Sequence, residues 1–161
     1  MIYSKLIPYE EIKKKLEASD AIAVVSCNTC ARECGVGGLG KADELVEILA
    51  KDGYVVKEEI VLQNACSEPV YKKARIRLKS DTVIVLACSA GFSCVTRLYP
   101  NKKVLKVTED RGLFVTDTEL ERFKVAIPCV LPLPPPIGEV GREFELGVGA
   151  FLLDRRIRLE D

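Results

Sequence analysis

Residues 21–26 form an almost wholly apolar run, β-branched at Ile22, Val24 and Val25. A strand that is apolar on both sides has to be covered on both faces, which is how strands of a parallel sheet are built. Runs of the same kind recur at 54–62, 81–87, 103–107 and 124–127. Segments of helical period lie between them. An opening helix is expected over 9–17, with Ile12 and Leu16 on one face and lysines on the other. A second covers 41–51, where Leu45, Ile48 and Leu49 make the apolar stripe and Gly53 ends it. Ser67 is a good N-cap for a third that runs to 79, with Glu68 and Pro69 in its first turn. A short helical segment follows at 92–99, and Thr116 caps a helix through Phe123.

Strands alternating with helices predict an α/β fold: one Rossmann- or flavodoxin-like three-layer domain, its mainly parallel sheet having about five strands. That domain takes in residues 1–130. Residues 131–161 differ in character. Leu131-Pro132-Leu133-Pro134-Pro135-Pro136 cannot form a regular helix and reads as an extended arm. The tail beyond it carries Phe144, Phe151, Leu152 and Leu153, which need cover from the domain or from another subunit.

Cysteine is the residue that marks this scaffold. There are seven, with no histidine. Three sit in one run, Cys27-x-x-Cys30-x-x-x-Cys34; Cys66, Cys88, Cys94 and Cys129 lie within a few residues of where an expected strand ends or in the turn after it. In an open parallel sheet all strand C-termini share one edge, and ligands collect there. The chain has 24 basic and 24 acidic side chains, so no net field draws it to nucleic acid or to a membrane surface. No apolar stretch approaches a membrane span, and Met1-Ile2-Tyr3-Ser4-Lys5 carries no signal-peptide pattern, so a cytoplasmic location is expected. Thiols stay reduced there, and an odd number of clustered cysteines then points to metal or redox chemistry. One glutamine, one methionine and abundant Lys and Glu point to a thermophilic source.

An all-sulfur ligand set of this kind suits an iron–sulfur cluster, most simply [4Fe–4S]. Cys27 and Cys30 can grip one centre within a turn, and Cys34 reaches it if the chain wraps around. The fourth ligand is Cys66 or Cys129. Gly35, Gly37 and Gly38 would let backbone N–H groups approach the sulfides and tune the potential. Two all-cysteine cubanes need eight thiolates and the chain has seven, so a second cluster would need a non-cysteine ligand or an open iron. A structural zinc held by four thiolates is the main alternative. Gly37-Gly38-Leu39-Gly40 leading into a helix also suggests phosphate binding, but its spacing fits neither the dinucleotide nor the P-loop fingerprint. Cys88-Ser89-Ala90-Gly91-Phe92-Ser93-Cys94 has the look of a nucleophile elbow; without histidine it lacks the usual base.

The run 26–38, Ser-Cys-Asn-Thr-Cys-Ala-Arg-Glu-Cys-Gly-Val-Gly-Gly, resembles a specific group when taken with Cys66, Cys88-Ser89-Ala90-Gly91 and the prolines after Cys129. That group is the small iron–sulfur subunit, or C-terminal domain, of methylenetetrahydrofolate reductases of the acetogen type. The resemblance covers most of the chain, and the first cysteine run is its most specific part. It implies an accessory, electron-transferring subunit beside a flavin-dependent catalytic subunit in one-carbon metabolism, with an electron-donor protein as a further partner. It makes Cys27, Cys30, Cys34, Cys66, Cys88, Cys94 and Cys129 candidate ligands. No folate or flavin motif of the catalytic partner has a counterpart here.

Overall fold

Two strands are buried along all or nearly all of their length, and the rest of the architecture is arranged around them. A computed structural model of the chain describes residues 1–117 and 122–128, with side chains as far as Leu113. In chain order the elements are β1 (Ile2–Leu6), α1 (Tyr9–Lys13), β2 (Ala21–Cys27), α2 (Cys30–Glu33), α3 (Gly38–Lys51) and β3 (Val55–Leu62). They continue with α4 (Glu68–Lys73), β4 (Thr82–Leu86), α5 (Ser89–Leu98), β5 (Lys103–Lys106), β6 (Thr108–Asp117) and β7 (Arg122–Pro128). The chain divides into two units, residues 2–110 and a second made of Met1 with the stretch from Arg111 onward.

In the first unit a four-stranded parallel sheet has the order β3-β2-β4-β5. The central strands β2 and β4 are apolar on both sides because both sides are covered. Ile22, Val24, Ile84 and Leu86 pack with Ala42, Leu45 and Leu49 of α3 and with Ile12 of α1. The alternate residues Ala23, Val25, Val83 and Val85 pack with Tyr71 of α4 and Val95 of α5. Each large side chain taken fully out of water here stabilises the fold by about 1.5–3 kcal/mol. Edge strand β3 shows the half-buried alternation that a less covered position requires. From β2 the chain moves outward to β3, then returns past β2 to β4. The direction of winding therefore reverses between β2 and β4, and the crevice at their C-terminal ends is the switch point where ligands bind in sheets of this kind.

Helix ends account for where the helices stop, at the expected place in α3 and earlier than expected in α4. Helix α3 stops at a Schellman motif: Tyr54 N–H bonds the Leu49 carbonyl and Gly53 N–H the Ala50 carbonyl, both at 3.0 Å, with Gly53 at φ +86°. Helix α4 ends the same way at Arg75, φ +50°, so it covers Glu68–Lys73 and does not run to 79. The opening helix likewise closes at Lys13, and α5 begins at Ser89, before the expected 92.

The expected fifth parallel strand is corrected. Residues 116–117 and 122–123, expected in a helix, lie in β6 and β7, which pair antiparallel with Phe114 opposite Val125 and Thr116 opposite Phe123. β-Branched and aromatic residues on both arms favour this pairing over the local helical pattern. These strands belong to a second, three-stranded sheet of order β1-β6-β7. The mainly parallel sheet thus has four strands, and a small antiparallel sheet accompanies it. The arm and tail, 131–161, lie outside the described residues.

Candidate functional site

Three parallel strands deliver their ends to one edge. Cys27, the last residue of β2, stands level with Leu62, the last of β3, and Ser26 stands level with Leu86, the last of β4. Cys88 follows as the N-cap of α5, and Cys66 lies in the turn between β3 and α4. Cys30 opens α2 and Cys34 is its C-cap. These five thiols occupy the C-terminal edge that sequence analysis assigns them. The sixth, Cys94, is a mid-helix residue of α5, 3% exposed and part of the core with Tyr71 and Val95. Cys129 lies outside the described residues. The strand before it, β7, belongs to the antiparallel sheet, so the parallel-edge argument does not extend to Cys129.

The loop that carries the first three cysteines is tied down at several points. Asn28 N–H bonds the Leu62 carbonyl at 2.7 Å, and the Thr29 hydroxyl bonds the Gln63 carbonyl, fixing the loop to the end of β3. Helix α2 ends in a Schellman motif, with Gly35 N–H on the Arg32 carbonyl and Val36 N–H on the Ala31 carbonyl, each at 2.9 Å. Gly35 is therefore at φ +69° as a helix terminator, and its N–H is engaged. At Gly37 the chain crosses the strand ends so closely that a Cβ would stand 2.9 Å from the Cys27 carbonyl oxygen and 3.0 Å from that of Leu86. Gly38 has φ +79°, and its carbonyl accepts the buried Ser26 hydroxyl at 3.0 Å.

The thiols fall into two neighbourhoods. Cys30 is close enough to both Cys34 and Cys88 that its charge opposes their ionisation. Cys66 acts on Cys94 in the same way, and both, with Cys27, bear on Tyr71. Burial pushes the Cys34, Cys88 and Cys94 thiols up from their ordinary value. Backbone N–H groups of Ala90 and Gly91 aimed at the Cys88 sulfur partly oppose this, as does the Ser4 N–H at Cys34. The Cys27 sulfur lies 3.9 Å from the Gln63 carbonyl, and the Tyr71 hydroxyl donates to the Ala65 carbonyl at 2.9 Å.

The donor set is a test of what the edge can hold. Among the described residues no three Cys, Asp or Glu side chains stand close enough to share one metal ion. A mononuclear zinc site needs its thiolates gathered within one tetrahedron, with Zn–S distances of about 2.3 Å. A cubane takes each thiolate on a different iron, so its ligands are more widely spaced than those of a mononuclear site.

Sequence reasoning missed the polar group beside Cys88. Asp110, at the start of β6, accepts the Ser4 hydroxyl and the Ser89 N–H, both at 3.0 Å, and Lys106 Nζ donates to Ser89 Oγ at 2.5 Å. The Thr108 hydroxyl bonds the Ala87 carbonyl. These residues lie far apart along the chain and match no motif; only the β5–β6 turn, which returns the chain to the end of β4, gathers them.

No family model matches the chain, and no curated protein or solved structure matches it either. No helix among the described residues is long and apolar enough to cross a membrane.

Proposed function

We propose that the chain is an iron–sulfur electron-transfer or accessory subunit, holding at least one [4Fe–4S] cluster at the C-terminal edge of its parallel sheet. The observation that carries the reading is the shared edge. Cys27, Cys30 and Cys34 lie after β2 and Cys88 after β4, on the two sides of the switch point, with Cys66 after the neighbouring β3. The order of the parallel strands, second-first-third-fourth in chain sequence, agrees with the first four strands of the flavodoxin-like order 2-1-3-4-5, in which ligands bind at this crevice, and so supports the reading. When bound, the cluster supplies one-electron redox chemistry.

The chain's own residues hold and shield that centre. Cys27, Cys30, Cys34 and Cys88 would be thiolate ligands, with Cys66 in reach from the next loop. Gly37 lets the loop lie flat on the strand ends. Val36 and Tyr71 are buried in the same apolar cluster as Cys27. The resemblance of the first cysteine run to small subunits of acetogen-type methylenetetrahydrofolate reductases supports a flavin-bearing reductase as partner, in the cytoplasm, with a separate electron donor.

Anaerobic reconstitution of the full chain with iron and sulfide tests the reading. The expected product is brown, with roughly four irons and four labile sulfides per cluster and an electron paramagnetic resonance signal on reduction. Cys30→Ser should lose that absorbance. A colourless chain that takes up a single zinc instead would overturn the proposal in favour of a zinc-stabilised module.

A further inference from the structure

Asp110 stands where β6, β1 and α5 meet the thiol edge. Its carboxylate accepts the Ser89 N–H at 3.0 Å and the Ser4 hydroxyl at 3.0 Å, with Lys106 Nζ 3.8 Å away. Ser89 is the first residue of α5, and the residue before it is Cys88, the N-cap, whose thiol the nearby N–H groups of Ala90 and Gly91 pull down against the effect of burial. One carboxylate thus fixes the backbone next to Cys88 and also places a negative charge near its thiol. Lys106, tied to Ser89 Oγ, sets a positive charge at the same helix end. The two side chains are only 15% and 27% exposed, so solvent screens them less than it screens surface charges.

We propose that Asp110 is a positioning residue for Cys88 and that, with Lys106, it sets the reduction potential of a cluster ligated there, an inference that rests on the iron–sulfur reading above. Reduction adds one negative charge to the centre. A neighbouring carboxylate makes that addition harder, whereas an ammonium group or an N–H donor to sulfur makes it easier. The carboxylate also occupies the N-terminus of α5, the place where an anionic ligand would otherwise be drawn. Asp110 and Lys106 therefore act on the potential with opposite sign. A role confined to holding the fold together predicts no such opposition.

The experiment is a mediated redox titration of the reconstituted full chain, followed by electron paramagnetic resonance. Asp110→Asn keeps the side chain's shape and should move the potential to more positive values. Lys106→Gln should move it to more negative values. Asp81→Asn, on a residue whose side chain is 89% exposed at the start of β4, should leave it unchanged. All three should bind as much iron as the parent chain. Potentials of the Asp110 and Lys106 variants that match the parent, with iron content intact, overturn the inference and leave the functional reading standing. Should Asp110→Asn not fold, the sign of the Lys106→Gln shift decides alone. A parent chain that takes up no iron removes both together.

Discussion

The two ends of the parallel sheet are built from different chemistry. At the N-terminal end two carboxylates, Asp20 and Glu58, are held by several partners each. Asp20 accepts the Thr82 hydroxyl at 2.9 Å and the Glu17 N–H at 2.8 Å and pairs with Lys103 at 3.3 Å. Glu58 accepts the N–H groups of Lys79 and Ser80 at 2.9 and 2.8 Å. At the C-terminal end the side chains are thiols, and the loop over them is held by backbone bonds and glycines. One end is closed by satisfied ions and contributes stability. The other gathers soft, partly buried thiols at the switch point, with the Asp110–Lys106 pair standing beside Cys88. The division of labour between edges is the physical basis for assigning function to one of them.

The largest expected effect breaks the thiol edge itself. Gly37→Ala would put a methyl group 2.6 Å from the Ala31 Cβ and within 3.0 Å of two strand-end carbonyls, none of which is a flexible side-chain tip. The strap 28–38 has to lift, and overpacking of this kind costs about 1–3 kcal/mol. Denaturant unfolding of the metal-free chain should show a loss near the top of that range, together with weaker iron uptake. A variant as stable as the parent would mean that the strap is not seated on β2 and β4.

Next in size is the pH dependence, which separates the two ends by sign. At Asp20 burial raises the carboxyl, but the Glu17 N–H, the Thr82 hydroxyl and Lys103 together outweigh it and hold the group below its usual range. The folded chain refuses a proton that the unfolded chain accepts near pH 4, so this stabilisation is complete above that value and is lost as pH falls through the folded pKa. Cys34, Cys88 and Cys94 are displaced upward by burial. The unfolded chain sheds those protons above about pH 8.5 while the folded chain keeps them, so stability falls as pH rises past that value. In the reduced, metal-free chain Asp20→Asn should cost about 1.5–3 kcal/mol at neutral pH and flatten the acid limb only. Cys88→Ala should flatten the alkaline limb only. Effects on the opposite limbs would erase the distinction between the ends.

Legibility in the sequence follows the same line. The apolar runs around Val24 and Ile84 specify both-face burial locally, and both strands appear where the pattern puts them. The thiols after those strands were equally legible, because a parallel sheet carries all its strand ends to one edge. Cys94 was not, since a cysteine on a helix face looks the same in sequence whether it packs or ligates. Strand β1 lacks any apolar run, and Thr116 resembles an N-cap until pairing with Phe123 overrides the local preference. Asp110 gave no local signal at all. What pairing and tertiary return decide, a single sequence does not spell out.

The smallest effect concerns Arg75, the C′ residue that ends α4 with φ +50°. Its N–H bonds the Lys72 carbonyl and the Ile76 N–H bonds the Tyr71 carbonyl, each at 3.1 Å, so the left-handed conformation is imposed by the helix end. A side chain in that region costs about 1–2 kcal/mol that glycine avoids, and glycine's greater freedom in the unfolded chain returns part of the gain. Arg75→Gly should therefore stabilise the metal-free chain by roughly 0.5–1 kcal/mol, read as a higher denaturation midpoint with an unchanged slope. Because Arg75 is exposed and lies away from the thiol edge, iron content and reduction potential should not move. A gain in stability accompanied by a shifted potential would mean that helix ends far from the sulfur edge are coupled to it, and the two ends of the sheet could no longer be treated as separate.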